Sequence, residues 1–258
     1  MFSNFKTRFM KPYLFLFLTM WVFSSCDLEA TKNCFQSKGD TIKRSYDVMD
    51  MQKITIRENI RLEITYGKEN RLEAEGRKSH LDQLTIVQDG EDYEFSADGL
   101  CKTGFTEAPI VLKLVTSKLN YIRNSSQFNV VSTSTLNLKS LTLIAEDFND
   151  TEALNLGGFQ LSVESERINI TGTGLSNFEV SGITEVFNFG TYSGSGSILA
   201  RHLDAKVVTF HHRSFSDAVV NPSESLTGKI LSTGNLICIK KPPLVEVEEF
   251  YTGKLIFE

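Results

Sequence analysis

From residue 45 onward the chain alternates apolar and polar positions with a period of two. In QKITIRENIRLEITYG, residues 52–67, the apolar members are Ile54 and Ile56, then Ile60, Leu62 and Ile64. NRLEAEG, LDQLTIVQDGEDYEFSA and APIVLKLV keep the same rhythm, with Gly, Asp and Asn between the runs. Successive side chains of a strand point to opposite faces, so this spacing predicts a half-buried strand in each run. The best helical stretch is RKSHLDQL, residues 77–84, about two turns at most. An all-β chain is predicted, with a single domain over residues 45–258.

The second half adds a longer period. TGLSNFEVSG, YSGSGSILAR, HRSFSDAVVN and LSTGNLICIK align on Phe178, Ile198, Ala218 and Cys238, one every 20 residues. A further short strand precedes each, around Ile170, Phe189, Phe210 and Ile230. IRNSSQFNVVS, with Phe128 and Val130, has the same form upstream. A fixed period of this length is the mark of a parallel β-helix, or β-solenoid, in which no coil buries its own apolar face and each leans on its neighbours. Parallel stacking would place Phe178, Ile198, Ala218 and Cys238 in one inward column, with steps of about 4.8 Å. The glycine-rich SGSG, residues 193–196, then falls at a corner between strands. A phosphate cradle would need a helix to start directly after the glycines, and SILARHLDAKVVTF reads as strand, link, strand.

The first 25 residues have a different character. Three cations (Lys6, Arg8, Lys11) precede an apolar run from Tyr13 to Phe23, and Ser24-Ser25-Cys26 follows. That is a secretory signal whose core is too short to span a bilayer comfortably. The residues before Cys26 resemble a bacterial lipobox, with Phe23 where Leu is commoner, and the resemblance implies cleavage before Cys26 and lipidation of its sulfur. An ordinary secretory signal has the same charge and hydrophobic pattern. Residues 26–44 read as a polar tether. Without residues 1–25 the net charge moves from −5 to −8. An acidic chain lacks the Lys/Arg clusters that nucleic acid or an anionic membrane surface demands. Of the remaining cysteines, Cys34 and Cys101 lie in irregular stretches, which makes them the expected pair if an oxidising envelope forms a bridge, although spacing alone does not set connectivity. Cys238, inside LICI, reads as a small buried hydrophobe.

YDVMDMQKITIRENIRLEITYGKENRLEAEG, then LTIVQDGEDYEF and LNYIRNSSQFNVVS, resemble the head GIN domain, a proposed autotransporter-adhesin module of surface lipoproteins in some Gram-negative bacteria. The closing VEVEEFYTGKLIFE resembles the end of such proteins. Glu58-Asn59 departs from the small residues or Gly of many members, and Asp92-Tyr93 from a simpler polar-Leu step. The resemblance implies a right-handed parallel β-solenoid, a location in the cell envelope and outer membrane, and an adhesive or scaffolding role without catalysis or cofactor.

Candidate chemistry is sparse. Glu146, Asp147 and Asp150 form the best carboxylate cluster, on a loop where acids are most often solvated. Glycine-pinned calcium spacing is missing there, and no cysteines or histidines have zinc spacing. His211 and His212 are adjacent on a strand and so face opposite ways. With Arg213, and with Arg201 and His202 one coil away, they could form a basic patch for an acidic glycan or a protein. The leading expectation is a lipid-anchored, non-enzymatic module that binds a glycan, a surface polymer or an envelope protein. A polysaccharide-active β-helix enzyme, which would need acids held across adjacent coils, and a purely structural envelope component are the alternatives.

Overall fold

A computed structural model describes residues 40–97, 109–151 and 153–258. The N-terminal region contains β1 (Thr41–Tyr46), β2 (Lys53–Ile56), β3 (Ile60–Tyr66), β4 (Arg71–Arg77), the helix α1 (Lys78–Leu81), β5 (Thr85–Asp89), β6 (Asp92–Ser96), β7 (Ile110–Thr116), β8 (Tyr121–Asn124) and β9 (Val130–Ser132). Longer strands follow: β10 (Leu136–Ala145), β11 (Phe159–Gly172), β12 (Phe178–Thr191), β13 (Ile198–His212) and β14 (Ala218–Ile230). Three short ones end the chain: β15 (Leu236–Cys238), β16 (Leu244–Glu249) and β17 (Leu255–Phe257). The chain is all-β, and the helical stretch shrinks to the single turn of α1, which no side chain caps. Strand β1 begins at Thr41, so residues expected in the tether already pair, antiparallel, with β4.

Strands β11 to β14 each carry two segments, one in each of two ladders. The first halves run β17, β15, β14, β13, β12, β11, β9, β3, β7, β4, β1, and all their pairings are parallel until β7–β4 and β4–β1. The second halves run β16, β14, β13, β12, β11, β10, β8, β2, β6, β5, parallel except for the last hairpin, which turns at Gly90. Parallel strands cannot be joined by tight hairpins, so every such pair is spanned by a circuit of chain. The 20-residue spacing is the length of that circuit.

The register decides which side chains stack. Phe159, Phe178, Ile198, Ala218, Leu236 and Leu255 are successive partners. Phe178, Ile198 and Ala218 therefore lie in one column as expected, but its next member is Leu236. Cys238 pairs with Val220 and Phe257, two residues farther along. In the same way Phe210 is followed by Gly228, and Ile230 lies beside His212. The circuits are unequal: irregularities between Leu199 and Asp204 and between Ala205 and Val207 shift the register, and the next circuit is two residues shorter than the 20 expected. Where an inward column is uniform, rings stack. Phe159 and Phe178 are 5.1 Å apart at 15°, and Phe189 and Phe210 5.6 Å apart at 17°. A continuous apolar cluster runs from Met51 and Ile54 to Leu236 and Cys238. Cys238 is wholly buried, and burial pushes its thiol up to about 11.

Candidate functional site

The SGSG corner is occupied by the chain's own backbone. Gly194 has φ +85°, and a Cβ there would stand 2.1 Å from the Gly174 carbonyl oxygen. A Cβ at Gly196 would meet the Ser176 oxygen at 2.3 Å. The amides of Ser195 and Gly196 donate to the Gly174 carbonyl at 2.8 and 3.1 Å, and that of Phe215 donates to the Gly194 carbonyl at 2.9 Å. These glycines let one turn settle on the next, and the amides that a phosphate would use are already bonded.

The expected basic patch does not assemble. His211 and His212 do face opposite ways, but His212 is fully buried, and its Nδ1 lies 3.0 Å from the Thr191 hydroxyl. Its Nε2 has no hydrogen-bond partner among the described residues. Arg201 and His202 lie on the same strand as the histidine pair, near its start, not one circuit away. The Arg201 guanidinium grips Glu258 with two hydrogen bonds of 2.6 and 2.7 Å. Only His211 and Arg213 remain together at the surface end of β13.

The acidic loop differs from a solvated cluster. Glu146 is 1 % exposed and pairs with Arg123. Its other oxygen accepts the backbone N–H groups of Phe148 and Asn149 at 2.8 and 3.0 Å. Burial opposes its ionisation, but Arg123 and the Asn149 donors outweigh that, and its carboxyl is held below the ordinary carboxylate value. Asp147 accepts from the Thr173 hydroxyl at 2.9 Å, and Asp150 pairs with Arg57. Three acids thus fasten one loop to β8 and to the residues that directly follow β2 and β11. Among the described residues, no group of three or more His, Cys, Asp or Glu could hold a metal ion. Cys26, Cys34 and Cys101 lie outside the described residues.

Fastening that loop places Phe148 against a surface feature that the sequence reading missed. On the outer face of the second-half ladder one column reads Thr142, Asn169, Asn188, Thr209, Thr227. The column beside it reads Ile144, Thr171, Gly190, His211, Lys229. Gly190 leaves a gap, and the Tyr192 ring folds back into it: a Cβ on Gly190 would meet that ring at 2.5 Å. The Tyr192 and His211 rings stack 4.8 Å apart at 26°, and Phe148 meets Tyr192 edge-on at 5.9 Å. Asn188 Nδ2 donates to Asn169 Oδ1 at 3.0 Å. Together Asn169, Thr171, Asn188, Tyr192, Thr209 and His211 border a shallow groove of about 350 Å³. The period of two could have shown that 169, 188 and 209 share a face, but only the register brings them side by side.

A second depression, of about 460 Å³, lies between Lys53, Asp89, Asp92, Tyr93, Glu94 and Tyr121, and Lys53 and Asp92 close an ion pair of 2.9 Å across it. No described helix is long and apolar enough to cross a membrane.

Solved structures share this fold. A putative adhesin from Bacteroides fragilis NCTC 9343 is similar with a TM-score of 0.76 at 16% identity, over 86% of this chain and 98% of that one. A putative adhesin from Parabacteroides merdae ATCC 43184 gives 0.60 at 15% identity, over 85% and 97%. A putative lipid binding protein from Parabacteroides distasonis ATCC 8503 gives 0.59 at 14% identity, over 85% and 97%. No curated protein matches the chain. The family model described as "Putative auto-transporter adhesin, head GIN domain" matches residues 50–242, and the chain belongs to that family.

Proposed function

We propose that the chain is a surface-binding module of a bacterial cell envelope, held by a lipid on Cys26 after removal of residues 1–25. Its parallel-stacked circuits form a right-handed β-solenoid, whose outer face meets a glycan, surface polymer or envelope protein without catalysis or cofactor. The observation that carries this reading is the outer ladder. Parallel register repeats outward positions from one circuit to the next, and in one column this sets Thr142, Asn169, Asn188, Thr209 and Thr227 in an unbroken run of neutral polar side chains. The adhesin names of the relatives point the same way. A polysaccharide-cleaving reading would require Glu146, Asp147 and Asp150 to act on one substrate, and each is engaged with a different protein group.

The test uses intact cells that carry the full chain, beside a deletion strain. Protease added outside should remove the protein, a Cys26→Ser variant should leave the membrane fraction, and the deletion strain should adhere less to a glycan- or protein-coated surface. Equal adhesion by the two strains would overturn the reading. Release of reducing or unsaturated ends from an acidic polysaccharide, abolished by Glu146→Gln, would replace it with the enzyme.

A further inference from the structure

We propose that the groove at Gly190 is a subsite for a neutral sugar ring, stacked on the aromatic surface of Tyr192 and hydrogen-bonded by Asn169, Asn188 and Thr209. This rests on the surface-binding reading above and names its ligand class and site.

Three features select that chemistry. The first is the held ring. Tyr192 is 41% exposed although His211 stacks on it and Phe148 abuts it, so an open aromatic surface is kept in one orientation. A Tyr ring offers large, rigid, amphipathic contact area at low entropic cost, suited to the apolar C–H face of a pyranose. Gly190 is what makes this possible, since any side chain there would displace the ring.

The second is the line of amides and hydroxyls beside it. The Asn188–Asn169 bond orients both amides and uses one donor and one acceptor. The Asn188 carbonyl and a further N–H on each amide remain to pair with neighbouring hydroxyls, which act as donor and acceptor at once. Thr171 and Thr209 border the same groove with hydroxyls of their own.

The third is charge. Asp, Glu, Lys and Arg do not border this groove. Along the same outer column, Lys53 and Asp92 lie toward one end and Glu246 toward the other. His211 is the one titratable imidazole there. Burial, and then the charges of Arg213 and Lys229, hold its pKa down, so it faces the groove uncharged near neutrality. Lys229, the neighbour of His211 in its column, is paired with Glu248 at 3.2 Å, and Arg213 does not border the groove, so an acidic glycan would find no cationic partner in the lining, whereas a neutral hexose needs none.

The experiment applies the purified full chain to an array of neutral gluco-, galacto- and manno-oligosaccharides beside uronate-containing and sialylated ones. Wild type should retain a subset of the neutral glycans. Tyr192→Ala should weaken this at least about tenfold and Tyr192→Phe should keep it, because the ring, not its hydroxyl, provides the stack. Thr209→Arg fills the groove from an exposed position and should abolish binding with the melting profile unchanged. It keeps the test open should Tyr192→Ala fold poorly. Equal retention by wild type and Thr209→Arg, no retention of any neutral glycan, or binding confined to acidic glycans and lost in Arg213→Ala would each overturn the subsite. Cell adhesion is measured with the same variants. Adhesion that needs the chain but survives Thr209→Arg would remove the sugar subsite alone, and adhesion indifferent to the chain would remove the surface-binding reading.

Discussion

At Gly194 two constraints meet in a single residue. Its φ of +85° lies in the left-handed region, and the Gly174 carbonyl occupies the place of a Cβ. An alanine would have to strain the backbone and separate the two stacked turns. We expect Gly194→Ala to cost about 2–3 kcal/mol, read as a lower urea midpoint at unchanged slope, with the exposed neighbour Ser193→Ala within about 0.5 kcal/mol of wild type as the control. Asn59 shows the milder case: it holds φ 65°, and Gln127 accepts from its amide and donates to its side-chain oxygen, each at 2.9 Å. The small residues or Gly that the family resemblance associates with this position suit that backbone, and Asn is the side chain that best tolerates it. That SGSG is a corner was legible in the sequence, because small residues recur there at a fixed spacing. That Gly190 clears room for Tyr192 was not, because the ring that needs the space returns from two residues ahead on a path set by the turn.

At the scale of strands, the columns carry the energy. Phe178 is 1% exposed and stacked between the levels of Phe159 and Ile198. Its removal leaves a cavity that rigid ladders above and below cannot close, so Phe178→Ala should cost about 3–5 kcal/mol by denaturant unfolding. A cycle with Phe159→Ala should show coupling of about 0.5–1.5 kcal/mol, since the ring pair is lost only once. Alternation announced these strands, and the repeat announced that Phe178, Ile198 and Ala218 coincide. Cys238 and Ile230 were misplaced for one reason: period counting assumes equal circuits, whereas the bulged register of β13 and β14 shortens the following one. A two-residue slip preserves which face a side chain occupies and changes its neighbour. Cys238 is accordingly buried, as its apolar surroundings implied, while its partners are Val220 and Phe257.

Across the whole molecule, two buried titratable groups make the fold sensitive to acid. Burial holds the His212 pKa below its ordinary 6.5, although Ser216 and Asp217 pull the other way. The unfolded chain therefore takes up a proton that the folded chain refuses. Stability contributed by the neutral imidazole is complete above about pH 6.5 and falls on acidification by up to about 1.4 kcal/mol per pH unit. Glu146 adds a lower window: its carboxyl lies below the ordinary 4.5, so its pairing with Arg123 stabilises above that value and is lost as the pH falls through the folded one. Urea unfolding at a series of pH values should show both. His212→Gln should flatten the decline that begins below about pH 6.5, and Glu146→Gln should leave that decline and weaken the fall below about pH 4.5. A decline setting in below about pH 6.5 that is identical in wild type and His212→Gln would show that another group carries it.

By itself the sequence determined the all-β class, the alternation that divides inward from outward side chains, the recurrence of corners and the family resemblance, because each of these is local or periodic and so is written into neighbouring residues. Tertiary structure decided the rest. It chose Leu236 over Cys238 as the stacking partner, buried Glu146 and His212, spent Arg201 on Glu258, and set Asn169, Asn188, Thr209 and Tyr192 around one groove. The physical reason is that parallel stacking makes neighbours of residues 17 to 21 positions apart, and the irregularities between β12, β13 and β14 reset that distance along the ladder. Spacing along the chain gives the face of a side chain; only the closed register says what it touches.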